Sequence, residues 1–117
     1  MNKIKVDIDS IRCNLNIIES DTTKKLIDHL PLTMTMEDLN NNEKYYFFNL
    51  TLPIHSKKVK KIKKGDVMLY GDNCLVIFYK DFETNYAYTP IGKLENFNDF
   101  AILEEKSSIT VSFEKYE

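Results

Sequence analysis

Glycine, proline, cysteine, histidine and arginine are all scarce in this 117-residue chain, and each scarcity excludes something. Three glycines, at 65, 71 and 92, leave no glycine-rich phosphate loop. Cys13 and Cys74 are the only cysteines. Both sit in apolar strand patterns where a reduced thiol packs as a small hydrophobe, so neither a structural disulfide nor a reactive thiol is expected. His29 and His55 are the only histidines, and neither has a second histidine or a cysteine at ligand spacing. No zinc site or other metal is expected, and no cofactor. No apolar stretch approaches the ~20 residues of a membrane span. The segment MNKIKVDID alternates apolar with charged residues where a signal peptide would need a continuous apolar run, so a cytoplasmic location is expected. A net charge of −2 gives no general attraction to nucleic acid or acidic lipid. Arg12 is the only arginine, which limits any chemistry that needs a guanidinium.

What is present is a soluble globular composition, 43% hydrophobic and 29% charged, at a length suited to one domain over residues 1–117. The chain is organised around residues 65–92. Cys74 to Lys80 (CLVIFYK) is the longest apolar run. It is too short for a self-sufficient helix, rich in β-branched and aromatic residues, and bounded by Gly71-Asp72-Asn73 and Asp81. That pattern predicts a strand buried on both faces. Val67 to Tyr70 lies just upstream, so the two predict a hairpin closed by residues that tolerate positive φ.

Before the hairpin, Ile4, Val6 and Ile8, then Ile11, Cys13 and Leu15, alternate with polar residues across an Asp9-Ser10 turn. Asp21 and Thr22 offer N-cap oxygens to a helix with Leu26, Ile27 and Leu30 on one stripe, ended by Pro31. Leu32, Met34 and Met36 predict a strand, Glu37 to Lys44 a polar loop, Tyr45 to Leu52 an aromatic strand, and 53–64 a second polar loop. Beyond the hairpin, Tyr86 to Leu94 predicts a strand in which Pro90 imposes an edge, a bulge or a break. Asn96 is a candidate cap for a short helix with Phe97, Phe100, Ala101 and Leu103 inward. Ile109, Val111 and Phe113 close the chain as a strand. About eight strands in antiparallel hairpins, with two short helices, predict a closed barrel, since closure removes exposed edges.

The blocks GDVMLYG, CLVIFYKDF, Tyr86 to Thr89 and Ile91 to Leu94, extended by LPLTMTMEDL and EKYYF, resemble the small stand-alone cyclophilin-like proteins of bacteria. The resemblance covers nearly the whole chain in order and implies a cyclophilin-type closed β-barrel with two helices. It does not by itself imply prolyl isomerisation. An isomerase lowers the ~18–20 kcal/mol barrier of peptide rotation by aiming a cationic donor at the prolyl nitrogen. In active cyclophilins an arginine after a Phe-His pair does this, beside a glutamine-phenylalanine-phenylalanine segment. Here the matching segments read YYFFNL (Tyr45 to Leu50), without arginine, and DNCLVIF, with Cys74 and Leu75 in place of the amide. Arg12 lies in the first hairpin, where a solvated strand face accounts for it.

The resemblance also implies a cleft on the barrel face, lined by Tyr45, Phe47, Tyr70, Phe78, Tyr86 and Tyr88, with Asn49 or Tyr45 supplying polar contacts. Tyrosine combines an apolar body with a hydroxyl, which suits a peptide or small-ligand groove, although for any one of these rings core packing is the more ordinary reading. The expected function is a non-catalytic module binding a peptide or small molecule. The rival is an enzyme using the same cleft, with weak prolyl isomerisation as one form. Lys57 to Lys64 carries six lysines in eight residues, the only basic cluster. Without aromatics for base stacking it reads as a solvated loop rather than a nucleic-acid site. Asp38, Glu43, Asp66, Asp72 and Asp81 read as turn carboxylates that accept backbone hydrogen bonds.

Overall fold

A period-two alternation buries one side of nearly every strand, and the strands close on themselves. In a computed structural model that describes residues 3–116, Lys3–Ile8 (β1) and Ile11–Ile17 (β2) form a hairpin. Its turn residues Asp9 and Ser10 have φ of 47° and 75°, the left-handed values of a two-residue turn whose twist matches its strands. Asp21–Asp28 (α1) follows. Its cap is Ser20 rather than Asp21 or Thr22. Ser20 Oγ accepts from the Thr23 N–H at 3.2 Å, and Thr23 Oγ1 accepts from the Ser20 N–H at 3.0 Å, which satisfies two end groups reciprocally. Thr22 is used elsewhere, its hydroxyl donating to the Pro53 carbonyl at 2.5 Å.

Leu32–Leu39 (β3) and Glu43–Phe47 (β4) pair across a tight turn, so the loop expected over Glu37 to Lys44 shrinks to Asn40, Asn41 and Asn42. Asn40 and Asn41 take φ of 58° and 55°, which asparagine tolerates. Polarity misleads here because Lys44 points inward and is fully buried, its Nζ 2.9 Å from Asp38 Oδ1 and donating also to the Lys106 carbonyl. The strand expected over Tyr45 to Leu52 ends at Phe47. The Phe48 and Leu52 N–H groups donate to Asn73 and Asp72 carbonyls at 2.7 and 2.8 Å, so this segment wraps around the central turn instead of extending a ladder. The second expected loop holds two short strands, Lys57–Lys58 (β5) and Lys61–Ile62 (β6).

Asp66–Tyr70 (β7) and Cys74–Phe78 (β8) form the central hairpin, with Gly71 at φ 64°. Phe82–Glu83 (β9), Ala87–Glu95 (β10), Phe100–Glu105 (α2) and Ser108–Glu114 (β11) complete the chain. Asn96 does not cap α2. It lies in the left-handed region (φ 62°), and Asp99 holds the cap position without a side-chain bond. Phe97 and Leu103 are buried as expected, whereas Ala101 is exposed.

Antiparallel pairing runs β2-β1-β11-β3-β4-β8-β7-β10 and returns from β10 to β2, a closed barrel of eight strands with two helices. β5 extends β10, and β6 pairs with β9 apart from the barrel. The register of β10 against β7 slips between Pro90 and Gly92, so the outcome of Pro90 is a bulge. Inside, Ile4, Val6, Leu15, Met34, Leu75, Ile77, Val111 and Phe113 form one core with Leu26 of α1 and Leu103 of α2. Outside, Cys74, Val76 and Phe78 form a second with Ile62, Met68 and Tyr88. All five β8 residues are therefore buried, as the apolar run predicts.

Candidate functional site

β4, β8, β7 and β10 lie side by side in the wall, and their outward positions build one cleft. From β4 come Glu43, Tyr45 and Phe47, opposite Phe78, Val76 and Cys74 of β8. Tyr70 stands opposite Cys74 at the end of β7. Tyr88, with Tyr86 just before β10, forms the far side, and Leu39 and Asn40 close the end nearest the β3–β4 turn. The cleft has a volume of about 390 Å³, within the range of small-ligand sites.

Its rings are inclined panels rather than a stack. Tyr45 and Phe47 meet at 74° with centroids 5.7 Å apart, Tyr70 and Tyr86 at 80° and 6.1 Å, Tyr70 and Tyr88 at 57° and 5.6 Å. Leu39, Phe47, Tyr70 and Tyr86 are 45–63% exposed and share this one cleft. Isolated exposed apolar residues are ordinary, whereas here four of them converge on one surface.

Residues 6–114 match the Cyclophilin-like family. The chain belongs to that family. No curated protein matches it. Among solved structures, this cyclophilin-like chain is similar to a hypothetical protein from Archaeoglobus fulgidus, at 19% identity and a TM-score of 0.72, over 97% of this chain and 94% of that one. It is also similar to McbB, solved in complex with tryptophan, at 16% identity and a TM-score of 0.65, over 96% of this chain and 44% of that one. At these identities the likeness carries the fold alone.

Of the residues singled out in the sequence of this cyclophilin-like barrel, Tyr45, Phe47, Tyr70, Tyr86 and Tyr88 line the cleft. Phe78 does not. It is fully buried beneath, edge-on to Tyr88 at 5.5 Å. Asn49 is exposed beyond the end of β4 and is not part of the lining, because the chain leaves the ladder at Phe47. Arg12 sits on the first hairpin with its Nε 3.2 Å from Asp7 Oδ1, and no arginine is among the lining residues. The lysine cluster is pinned to the outer core by Val59 and Ile62 while its lysines stay exposed, so it is an anchored edge rather than a free loop. His29 bonds the Lys25 carbonyl at 2.9 Å, and His55 lies 3.9 Å from Asp21.

Sequence reasoning placed Glu43 among the turn carboxylates, and that is a correction. Asp38, Asp66 and Asp81 do accept N–H bonds, from Asn41, Lys63 and Lys64. Glu43 instead lies on a strand, 8% exposed, in the wall of the cleft. Burial, then the nearby negative charge of Asp38, raises its pKa to about 7. Burial likewise lifts the Cys74 thiol to about 11 and the Tyr88 hydroxyl to about 12, with the charge of Glu43 contributing to both. The signal for Glu43 was parity: it shares a strand face with Tyr45 and Phe47.

Proposed function

We propose that this cyclophilin-like barrel is a non-catalytic binding module whose outer-wall cleft holds a small molecule or an extended peptide. One observation carries the reading: exposed apolar side chains from β3, β4, β7 and the residue just before β10 converge on a single aromatic hollow. Burying such rings against a ligand recovers hydrophobic free energy that solvent exposure forfeits. The same reading places the protein in a bacterial cytoplasm, where its two buried, unpaired cysteines suit a reducing compartment. It assigns no role to nucleic acid, membrane or cofactor.

The test is an amide-resonance screen of the labelled protein against aromatic amino acids, tryptophan among them because McbB was solved with it, and proline-containing peptides. Ligands should move the Tyr45, Phe47, Cys74 and Tyr88 signals. If millimolar concentrations of every compound leave those signals in place, the reading fails.

A second reading, an enzyme in the same cleft, draws on Glu43, because a carboxyl with a pKa near neutrality can act as a general acid or base. Prolyl isomerisation is its weaker form, since the cleft supplies no guanidinium to the prolyl nitrogen. A protease-coupled assay on an X-Pro peptide decides it. Turnover that disappears in Tyr45→Ala would replace the binding reading with the enzymatic one.

A further inference from the structure

Glu43 gives the cleft a property that its aromatic walls do not explain. A carboxylate this buried normally rests against a lysine, an arginine or several N–H donors, because an unpaired charge in an apolar setting is costly. Among the described residues no cation and no protein hydrogen-bond donor reaches its carboxylate, whose oxygens are not sealed from solvent; only burial and the like charge of Asp38 shift its ionisation. Lys44, its neighbour in sequence, turns to the other side of the wall and is committed to Asp38. The counter-charge that Glu43 lacks is missing on the same side as the ring-lined hollow.

We propose that the cleft binds a small methylated ammonium cation, held against the faces of Tyr45 and Tyr70 with Glu43 as its counter-charge. The proposal rests on the binding-module reading and supplies its ligand class. Ring faces carry negative potential and attract a cation, and inclined rings can present more than one face to the same head group. A methylated head suits walls that are mostly apolar, since it asks for no hydrogen-bond acceptors. An anion would meet Glu43 and be repelled. A neutral ligand would leave the carboxylate unpaired or force it to take a proton.

Charge complementarity makes binding depend on pH. The pKa of free Glu43, about 7, means that affinity for a permanently charged ligand falls as pH drops from 8 to 6. The groups facing Glu43 from other elements do not confuse that window: Asp38 on β3 is held below its usual value, Cys74 on β8 titrates at about 11 and Tyr88 on β10 at about 12. Tyr79, after β8, is raised. Tyr70 and Tyr86 complete the walls, Lys57 lies opposite Tyr88 on β5, and His55 is turned toward Asp21 of α1.

The probe is choline, and the control is its uncharged isostere 3,3-dimethylbutan-1-ol, each titrated into the whole chain while amide resonances are followed. Choline should shift the Glu43, Tyr45 and Cys74 signals and bind at least tenfold more tightly than the isostere. Its affinity should fall at least several-fold from pH 8 to pH 6, and Glu43→Gln should reduce it about tenfold and remove the pH dependence. Wild-type binding and its pH profile need no variant, so a poorly folded Glu43→Gln protein would leave the test intact. Equal binding of the two probes, or choline binding indifferent to pH, would overturn the cation proposal while the binding-module reading stands. Binding of neither would also overturn it, and the wider ligand screen then decides the module reading separately.

Discussion

Gly92 and Asn16 meet at the seam where the barrel closes, so tightly that a Cβ on Gly92 would drive into the Asn16 carbonyl oxygen. Its other neighbours would be backbone too, Asn16 C at 3.1 Å and Ile17 Cα at 3.2 Å, so no side chain can swing aside. Gly92→Ala should therefore cost at least about 2 kcal/mol, at the upper end of overpacking penalties. Gly71→Ala provides the contrast. Among the described residues nothing lies within 4 Å of its added methyl, and only the φ of 64° resists, at about 1–2 kcal/mol. Urea unfolding of both variants, with amide exchange in β2 and β10, separates a seam defect from a local turn cost. Faster exchange in β2 and β10 should appear only in Gly92→Ala.

Glu43 makes stability fall as pH rises. An acid whose folded pKa lies above its unfolded value favours the fold when protonated, so the advantage is whole below about 4.5 and is lost by the time pH passes about 7. The displacement corresponds to roughly 3 kcal/mol at most. Glu43→Gln should be close to neutral at pH 4.5 and up to about 3 kcal/mol more stable than the parent at pH 8. Unfolding midpoints collected across that range measure it, and parallel curves for the two proteins would show that Glu43 ionises without cost.

Asp38 titrates with the opposite sign. Partial burial resists its charge, but hydrogen bonds from Tyr79 and Lys44, the Lys44 charge and the Asn41 N–H together hold its pKa below the ordinary value of 3.8. Its contribution is thus present above about pH 3.8 and is lost as pH falls through the lower folded value. The pair is also lopsided in burial: the Lys44 side chain is fully buried and that of Asp38 is 22% exposed. Asp38→Ala strands a buried ammonium and should cost about 3–5 kcal/mol. Lys44→Met leaves a carboxylate that can rehydrate, and an apolar chain of similar length where the lysine lay, so it should cost about 1–2 kcal/mol. Equal costs in chemical denaturation would mean that the ammonium finds water on losing its partner.

Where residues close in sequence carry the signal, it is legible there. The apolar run at 74–80 states its own burial, and the strands around Asp9-Ser10 and Gly71 state their own turns. Lys44 and Glu43 hide because their environments are assembled from distant parts of the chain. Asp38, Tyr79 and the Lys106 carbonyl make an inward lysine tolerable, and the Glu43 pocket needs β7, β8 and β10 beside β4. A run of charges and asparagines therefore reads as loop when it is two strands and a three-residue turn. Asn49 fails for a related reason. It shares parity with Tyr45 and Phe47 and would face the cleft if the strand continued, but the Phe48 N–H is taken by Asn73 and the ladder ends. Parity places a side chain only as far as the pairing runs.

Tyr86 and Phe78 separate binding from support within the aromatic set. Tyr86 is 63% exposed, so Tyr86→Ala removes little packing and should change stability by about 0.5 kcal/mol or less. It nevertheless opens the cleft wall facing Tyr70 and should weaken a bound ligand several-fold. Phe78 is fully buried and braces Tyr88 and Phe82 from below. Phe78→Ala should cost about 3–5 kcal/mol and weaken ligands only through the loosened position of Tyr88. Thermal unfolding with and without a bound probe reads both quantities on one sample. A ligand-induced shift lost in Tyr86→Ala at unchanged apo melting temperature is the signature of a contact residue. A shift that survives in Tyr86→Ala would remove that ring from the site and leave Tyr45, Tyr70 and Tyr88 as its walls.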